Sequence, residues 1–399
     1  MKYPSASKSL APALIVLLTA CGGGGGGGSS TVSGQIVDSL VEGLQYTSGS
    51  ISGLTDANGR FQAASGADIT FRVGDIVLGT LSARDVLNIV DLVDGAELYS
   101  TANPRIYNTA RFLQSIDDDR DTSNGIQITQ QVRDLAVGVS MDFSDPSWDS
   151  ASSTTDFFAA LGAPIVGTAA ANAHGNEWLR ASRPGLFSGQ WQDSGNTISG
   201  LWELSVGNAG KLVMIAATDG ADEGGTTPIQ ANGNFTVFTG SATWTGNVNR
   251  RTGAVSGTWV GGSGTILDGL SGSFSGSVKT RPLAFLDVTL IDNYAALDGE
   301  VVTGTIFDDA GVFQGTLTMR LAGNSEGAYQ VDMDIDLANG DFETASFFAL
   351  GMSATEIRFG GLSTSGEGFN GTLTTSGDVT GTYYDIDPSE SGGTFSGSL

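Results

Sequence analysis

The second half of the chain repeats itself in order. Ser188-Gly189-Gln190-Trp191 and Ser199-Gly200-Leu201-Trp202 return as Thr303-Gly304-Thr305-Ile306 and Gln314-Gly315-Thr316-Leu317, with the two glycines eleven residues apart in both copies. Gly233-Asn234-Phe235 aligns with Gly340-Asp341-Phe342, and Gly253-Ala254-Val255-Ser256-Gly257-Thr258-Trp259 with Gly377-Asp378-Val379-Thr380-Gly381-Thr382-Tyr383. Both copies close alike, on Gly272-Ser273-Phe274-Ser275-Gly276 and Gly393-Thr394-Phe395-Ser396-Gly397. Small residues agree by chance easily; small residues agreeing in order do not, so residues 184–282 and 283–399 read as a tandem duplication. Each copy holds roughly eight short segments of alternating apolar residues, and the chain has 59 glycines but only 9 prolines, as many turns between antiparallel strands require. An open sheet of that size exposes unpaired edges, so a closed antiparallel barrel is the first expectation for each repeat and a sandwich the second.

Ahead of the repeats, residues 31–82 also read as strands. Val32, Gly34 and Ile36 alternate with polar neighbours, as do Ile69, Phe71 and Val73. Between them lies Thr55-Asp56-Ala57-Asn58-Gly59-Arg60-Phe61. Asp and Asn supply acceptors for a turn, Gly takes the positive-φ position and Phe re-enters the core. This pattern resembles small prealbumin-like sandwiches related to carboxypeptidase regulatory domains, a likeness that implies fold and not function. Residues 83–183 read as a helical connector. Asn103-Pro104 opens a helix with a stripe at Ile106, Ala110, Leu113 and Ile116, and further helices are expected over 130–137, 154–161 and 168–180. The whole is a mainly β chain: a small N-terminal β-sandwich, a short helical connector and two tandem antiparallel barrel-like repeats.

The first thirty residues carry an address. Lys2 and Lys8 precede an apolar run from Leu10 to Leu18, too short to span a bilayer, and then comes Leu18-Thr19-Ala20-Cys21. This is similar to the lipobox of bacterial lipoproteins. The resemblance implies a signal peptide over 1–20, cleavage before Cys21 and a lipid (diacylglyceryl and palmitate) on its thiol; ordinary cleavage after Ala20, leaving a free Cys, is the alternative. Residues 21–30 form a tether, seven glycines and two serines behind the only cysteine, with nothing to pack and no disulfide to make. Residue 22 is Gly rather than the Asp that marks inner-membrane retention in many Gram-negative lipoproteins, so the likeness points to the outer membrane or cell surface. The formal charge of −25 becomes −27 when Lys2 and Lys8 leave with the signal peptide. Such a body repels phosphate backbones, which argues against a nucleic-acid partner, and leaves the membrane through the lipid, plus a protein or small-molecule ligand, as the expected partners.

The closing stretch of the second repeat runs Gly368-Phe369-Asn370-Gly371-Thr372, then Val379-Thr380-Gly381-Thr382-Tyr383-Tyr384, then Glu390-Ser391-Gly392-Gly393-Thr394-Phe395. It resembles the barrel domain of transferrin-binding-protein-like surface lipoproteins. The first repeat departs from that pattern, with Asp268-Gly269-Leu270 in place of the Glu390 approach. The resemblance implies a non-enzymatic envelope protein that binds through loops of its barrels, here Asp219–Asn232 and the stretch from Phe342 to Gly368. A structural or adhesive envelope component is the alternative, and a hydrolase with an unrecognised site the third.

Three constellations could carry chemistry. Asp117, Asp119 and Asp121, with Asn124, alternate in the loop after the first helix, as ligands of a hard cation such as Ca²⁺ do. Thr122 and Ile128 stand where an EF-hand has its Gly and final Glu, so the loop reads first as a solvated acidic turn, with Arg111, Arg120 or water to offset its charge against the helix dipole. Asp332, Asp334 and Asp336 share one face of a strand, most simply the wet face. His174 is the only histidine, which cannot by itself build a zinc site, and no G-x-S-x-G elbow, P-loop or dinucleotide fingerprint accompanies it. Catalytic residues and cofactors are therefore expected to be none, with Ca²⁺ the single possible exception. Trp191, Trp202, Trp244 and Trp259 are expected in barrel cores.

Overall fold

Phe61 sits between two small sheets and shows why the N-terminal segment folds as it does. The computed structural model describes residues 31–207, 210–218, 221–280, 288–323, 329–385 and 392–399. Cys21 and its glycine tether, Asp219, Glu390 and Ser391 lie outside them. A three-stranded sheet is built on Thr31–Val37, with Arg60–Ala64 antiparallel on one side and Val86–Asn88 parallel on the other. A four-stranded sheet faces it, in the order Ile51–Leu54, Gln45–Ser48, Asp68–Val73, Ile76–Ser82. Phe61 bridges them edge-on, its centroid 6.1 Å from Tyr46 and 5.5 Å from Phe71. The turn before it is as expected: Asp56 Oδ1 accepts from the N–H of Asn58 and of Arg60, and Gly59 has φ +67°.

The helices of residues 83–183 share this core. Helices α1 (Pro104–Ser115), α2 (Gln130–Leu135), α3 (Ser152–Leu161) and α4 (Thr168–Ala181) lie within two residues of the expected positions. The α1 stripe Ile106, Ala110, Leu113 and Ile116 packs into one cluster with Phe71, Ile69 and Leu78 of the sheet. The short pair Ile126–Gln127 and Val41–Glu42 stitches the two segments again. Sandwich and connector are thus one folded unit, because the open sides of the two sheets need an apolar cover and the helices supply it.

Each repeat is an eight-stranded antiparallel barrel. The second, from Val301–Asp308 to Gly393–Ser398, is closed by pairing of first and last strands. In the first, from Gly185–Asp193 to Ser271–Thr280, the hydrogen-bonded order runs unbroken through all eight strands, and the two ends, Ala221–Pro228 and Asn234–Phe238, lie side by side without a ladder. The duplication is kept to the register. Gly189 stands opposite Gly276 and Gly304 opposite Gly397; Gly246 opposite Gly257 and Gly371 opposite Gly381. One alignment of the sequence fails: Gly233-Asn234-Phe235 enters the fifth strand of its barrel, whereas Gly340-Asp341-Phe342 enters the fourth. Both are turn-then-apolar signals, and nothing local says which hairpin they serve.

Aromatic rings fill both barrels. Trp191, Trp202, Trp244 and Trp259 are all buried, with Trp191 and Trp259 5.3 Å apart edge-to-face. In the second barrel Phe347, Phe359, Phe369 and Phe395 take this place. The barrels also pack on each other. Val213 and Ile215, on the outer face of the first, are covered by Phe348 and Leu362 of the second, and Ser346 Oγ donates to the Lys211 carbonyl at 2.8 Å.

Candidate functional site

The two stretches expected to be binding loops are mostly sheet. Residues 221–228 form a strand paired along its length with Lys211–Thr218, and 342–368 hold the strands Phe342–Met352 and Glu356–Ser363. A Cβ on Gly224 would collide with the Thr364 carbonyl of the other barrel, and one on Gly225 with that of Phe238. Both stretches are therefore spent on closing and packing the barrels, and close backbone approach explains their glycines. With rings filling the interiors, the outer surface and the junctions are where a ligand would fit.

The acidic loop is the first of the expected sites. The structure gathers Asp117, Asp118 and Asp119, with carboxylate oxygens within 4.8 Å of one another. Asp117 Oδ1 accepts from the Gln127 N–H at 2.8 Å, while its buried Oδ2 has no partner among the described residues. Burial, then the charges of Asp119 and Asp118, push its carboxyl up to about 6 against the Gln127 hydrogen bond. Asp121 is not in the group. Its Oδ1 accepts from the Ser123 N–H and caps the short turn that follows, and Asn124 donates through Nδ2 to Asp119 Oδ2 at 2.8 Å. That Asn124 bond, with the Asp121 N–H, holds the Asp119 carboxyl below its usual range. Of the expected ligands, Asp117 and Asp119 come together, and Asp121 and Asn124 serve the turn instead. Neither arginine offsets the loop: Arg120 donates to the Gly162 carbonyl, and Arg111 is paired with Asp149 at 2.9 Å.

The other expected residues are placed simply. On the alternating strand Tyr329–Leu337, Met333 and Ile335 point into the barrel core, Asp334 pairs with Arg320 at 3.1 Å and Asp336 is exposed; the Asp332 side chain lies outside the description. His174, on α4, lies with Nε2 3.0 Å from the Asp38 carbonyl and Nδ1 3.4 Å from Thr122 Oγ1, and burial lowers its pKa.

The most concentrated chemistry lies away from every residue expected from the sequence, at the junction of the N-terminal unit and the first barrel. A cleft of about 420 Å³ is lined by Arg84 from the first and by Arg183, Arg250 and Arg251 from the second or the link to it. These are four of only 18 cationic residues in a chain with 43 acidic ones. Asp85 is the sole carboxylate in the lining. Behind it, Asp91 holds three of the arginines. Its Oδ1 takes Arg250 Nη2 at 2.5 Å and Arg251 Nε at 2.9 Å, with Arg84 Nη2 at 3.4 Å. The Asn88 N–H donates to Oδ2 at 2.9 Å. Burial pushes the Asp91 carboxyl up, but the Arg250 hydrogen bond and charge, the Asn88 N–H and Arg84 outweigh it and hold it below the ordinary range.

Arg183 is different. It is 2 % exposed, and among the described residues no carboxylate pairs with it. Its guanidinium is held by backbone carbonyls: Nε and Nη2 donate to Ala231 at 3.2 and 2.7 Å, and Nη1 to Val248 at 2.6 Å. Gly233, at φ +86°, leaves room for it, since a Cβ there would lie 2.7 Å from Nη1. Burial, then the Arg250 and Arg251 charges, pull its pKa down to about 9 against the charge of Glu97. Two shallower depressions on the outer wall of the first barrel, one around Gln190, Gln192, Ser273 and Ser275, the other around Thr236, Thr245 and Asn247, carry no charge.

No family model matches the chain, and no curated protein matches it. Among solved structures it is similar to a protein of unknown function of the DUF3598 family from Nostoc punctiforme, at 12% identity and a TM-score of 0.18, over 56% of this chain and 99% of that one. It is also similar to the LG1-3 region of the laminin α2 chain, at 10% identity and a TM-score of 0.10, over 55% of this chain and 51% of that one.

Proposed function

We propose that this chain is a non-enzymatic, lipid-anchored protein of the Gram-negative outer membrane or cell surface, and that it recognises its ligand in the arginine-lined cleft between the N-terminal unit and the first barrel. The observation that carries the reading is the cleft itself. Cationic side chains are scarce in this chain, and four of them meet at one cavity of ligand size. The lipobox-like Leu18-Thr19-Ala20-Cys21 and the glycine tether support anchoring and a body held off the surface. The apolar contact of Val213 and Ile215 with Phe348 and Leu362 supports a second reading, a rigid envelope spacer without a discrete ligand.

Two experiments test the proposal. A clickable palmitate analogue should label the wild-type chain in cells and fail to label Cys21→Ser; equal labelling removes the anchor. A small-molecule filtrate of the producing cells should raise the melting temperature of the purified chain. Ser182→Trp, which places a bulky ring in the cleft wall, should abolish that shift while the same substitution at Thr236, on the uncharged outer wall, leaves it. A shift that survives in Ser182→Trp contradicts the cleft as the site, and no shift in the wild type favours the spacer.

A further inference from the structure

Resting on the cleft as recognition site, we infer that its ligand is a phosphate monoester carried on a polar body of about sugar size. Counting every charged group placed at the cleft, Arg84, Arg183, Arg250 and Arg251 face Asp85, Asp91 and Glu97, which leaves one cation in excess. The excess is localised. Asp91 is sealed behind the wall and already shared among three arginines, and Glu97, 3.7 Å from Arg251 and about half exposed, acts on Arg183 only from a distance. Among the described residues Arg183 hydrogen-bonds only to neutral carbonyls, which fix its orientation without cancelling its charge. A buried guanidinium without a counter-ion is costly unless something supplies the charge. Three of its five N–H donors are used by those carbonyls, so two remain.

The cleft brings guanidiniums together from three separate chain segments, which suits the several oxygens of a tetrahedral phosphate better than the single plane of a carboxylate. The rest of the wall says what the phosphate is attached to. Gln35 and Asn249 offer amides, and Phe187 and Val248 a small apolar surface, in a volume too large for the bare ion. Long anionic polymers are disfavoured by the acidic body around the site.

Calorimetric titration of the full chain in mild detergent with glucose 6-phosphate, inorganic phosphate, glucuronate and glucose tests this. The expected result is saturable binding of the ester, at least tenfold weaker binding of glucuronate, and none of glucose. Raising NaCl should weaken the ester. Inorganic phosphate binding as tightly as the ester would overturn the organic body, and tighter glucuronate would overturn the phosphate. Arg84→Gln is the mildest variant, because Arg84 is one-third exposed and lies farthest from Asp91 of its three partners. It should weaken the ester at least tenfold while the free chain, somewhat destabilised by the loss of one Asp91 partner, still melts in a single cooperative transition. Arg183→Lys, which keeps the charge and loses the fork, should do the same or more. Ester affinity unchanged in both variants overturns the inference. If no anion binds while the filtrate shift is still lost in Ser182→Trp, the phosphate ligand fails and the cleft stands; if the filtrate shift survives there, both fail.

Discussion

Asp38 and Asp91 are both buried carboxyls, about fifty residues apart, and they titrate in opposite directions. Asp91 has charge partners, and its carboxyl is held low. Asp38 has none. Its Oδ2 accepts from Gln114 Nε2 at 3.2 Å, and desolvation pushes it up to about 7 against the opposing pull of Tyr99 and Gln114. The consequences for stability have opposite sign. A carboxyl whose folded pKa is raised favours the fold at low pH, and that advantage is lost as pH climbs from 3.8 towards 7. Asp38→Asn should therefore match the wild type near pH 4 and be more stable at pH 8, by at most about 4 kcal/mol. Thermal melts at the two pH values check this, and a variant less stable at pH 8 would refute it. Asp91 contributes stability above the ordinary carboxyl range, lost as pH falls through its lowered value. Asp91→Asn at pH 7 strands Arg250 and Arg251 beside Arg183, and should cost about 3–5 kcal/mol in denaturant unfolding. A cost under about 1 kcal/mol would show the arginines satisfied without it.

Among the elements, the last strand of each barrel depends on a pairing of ring and glycine. Phe274 lies over Gly246 and Gly257, where an added Cβ would come within 2.6 Å of the ring; Phe395 would be met more closely from Gly381, and at 2.9 Å from Gly371, where Phe359 is closer still. The glycines make room for a ring that fills a narrow barrel, and the ring covers backbone that glycine leaves bare. Gly257→Ala and Gly381→Ala should each destabilise by about 1–3 kcal/mol, in parallel because the registers are the same. One neutral and one costly substitution would break the equivalence of the repeats.

These elements were legible because their signals are local. The Gly-x-Phe-x-Gly closes, the four tryptophans and the α1 stripe each read correctly from a short window. Residues 221–228 were not legible: Ala-Asp-Glu-Gly-Gly-Thr-Thr-Pro has no apolar alternation, and it forms a strand because Gly224 and Gly225 admit neighbouring backbones. The cleft escaped for a related reason. Arg84, Arg183 and the Arg250-Arg251 pair are far apart in sequence, and only the docking of the first barrel on the N-terminal unit brings them to one place. The scarcity of cations in an acidic chain was the one signal available, and it marks the residues without grouping them.

At the scale of the whole molecule, an acidic, mainly β body consists of an N-terminal α/β unit and two barrels, docked in series. The junction between the barrels is apolar, and the junction ahead of them is charged and carries the cleft. Apolar contact suits a permanent joint, while a cavity walled by guanidiniums suits reversible recognition of an anion. Native mass spectrometry of the full chain, extracted gently from its own cells, tests that assignment most directly. The account predicts a discrete small adduct on the wild-type chain, released by high salt and missing from Ser182→Trp. Identical spectra for the two proteins, with or without an adduct, would contradict it.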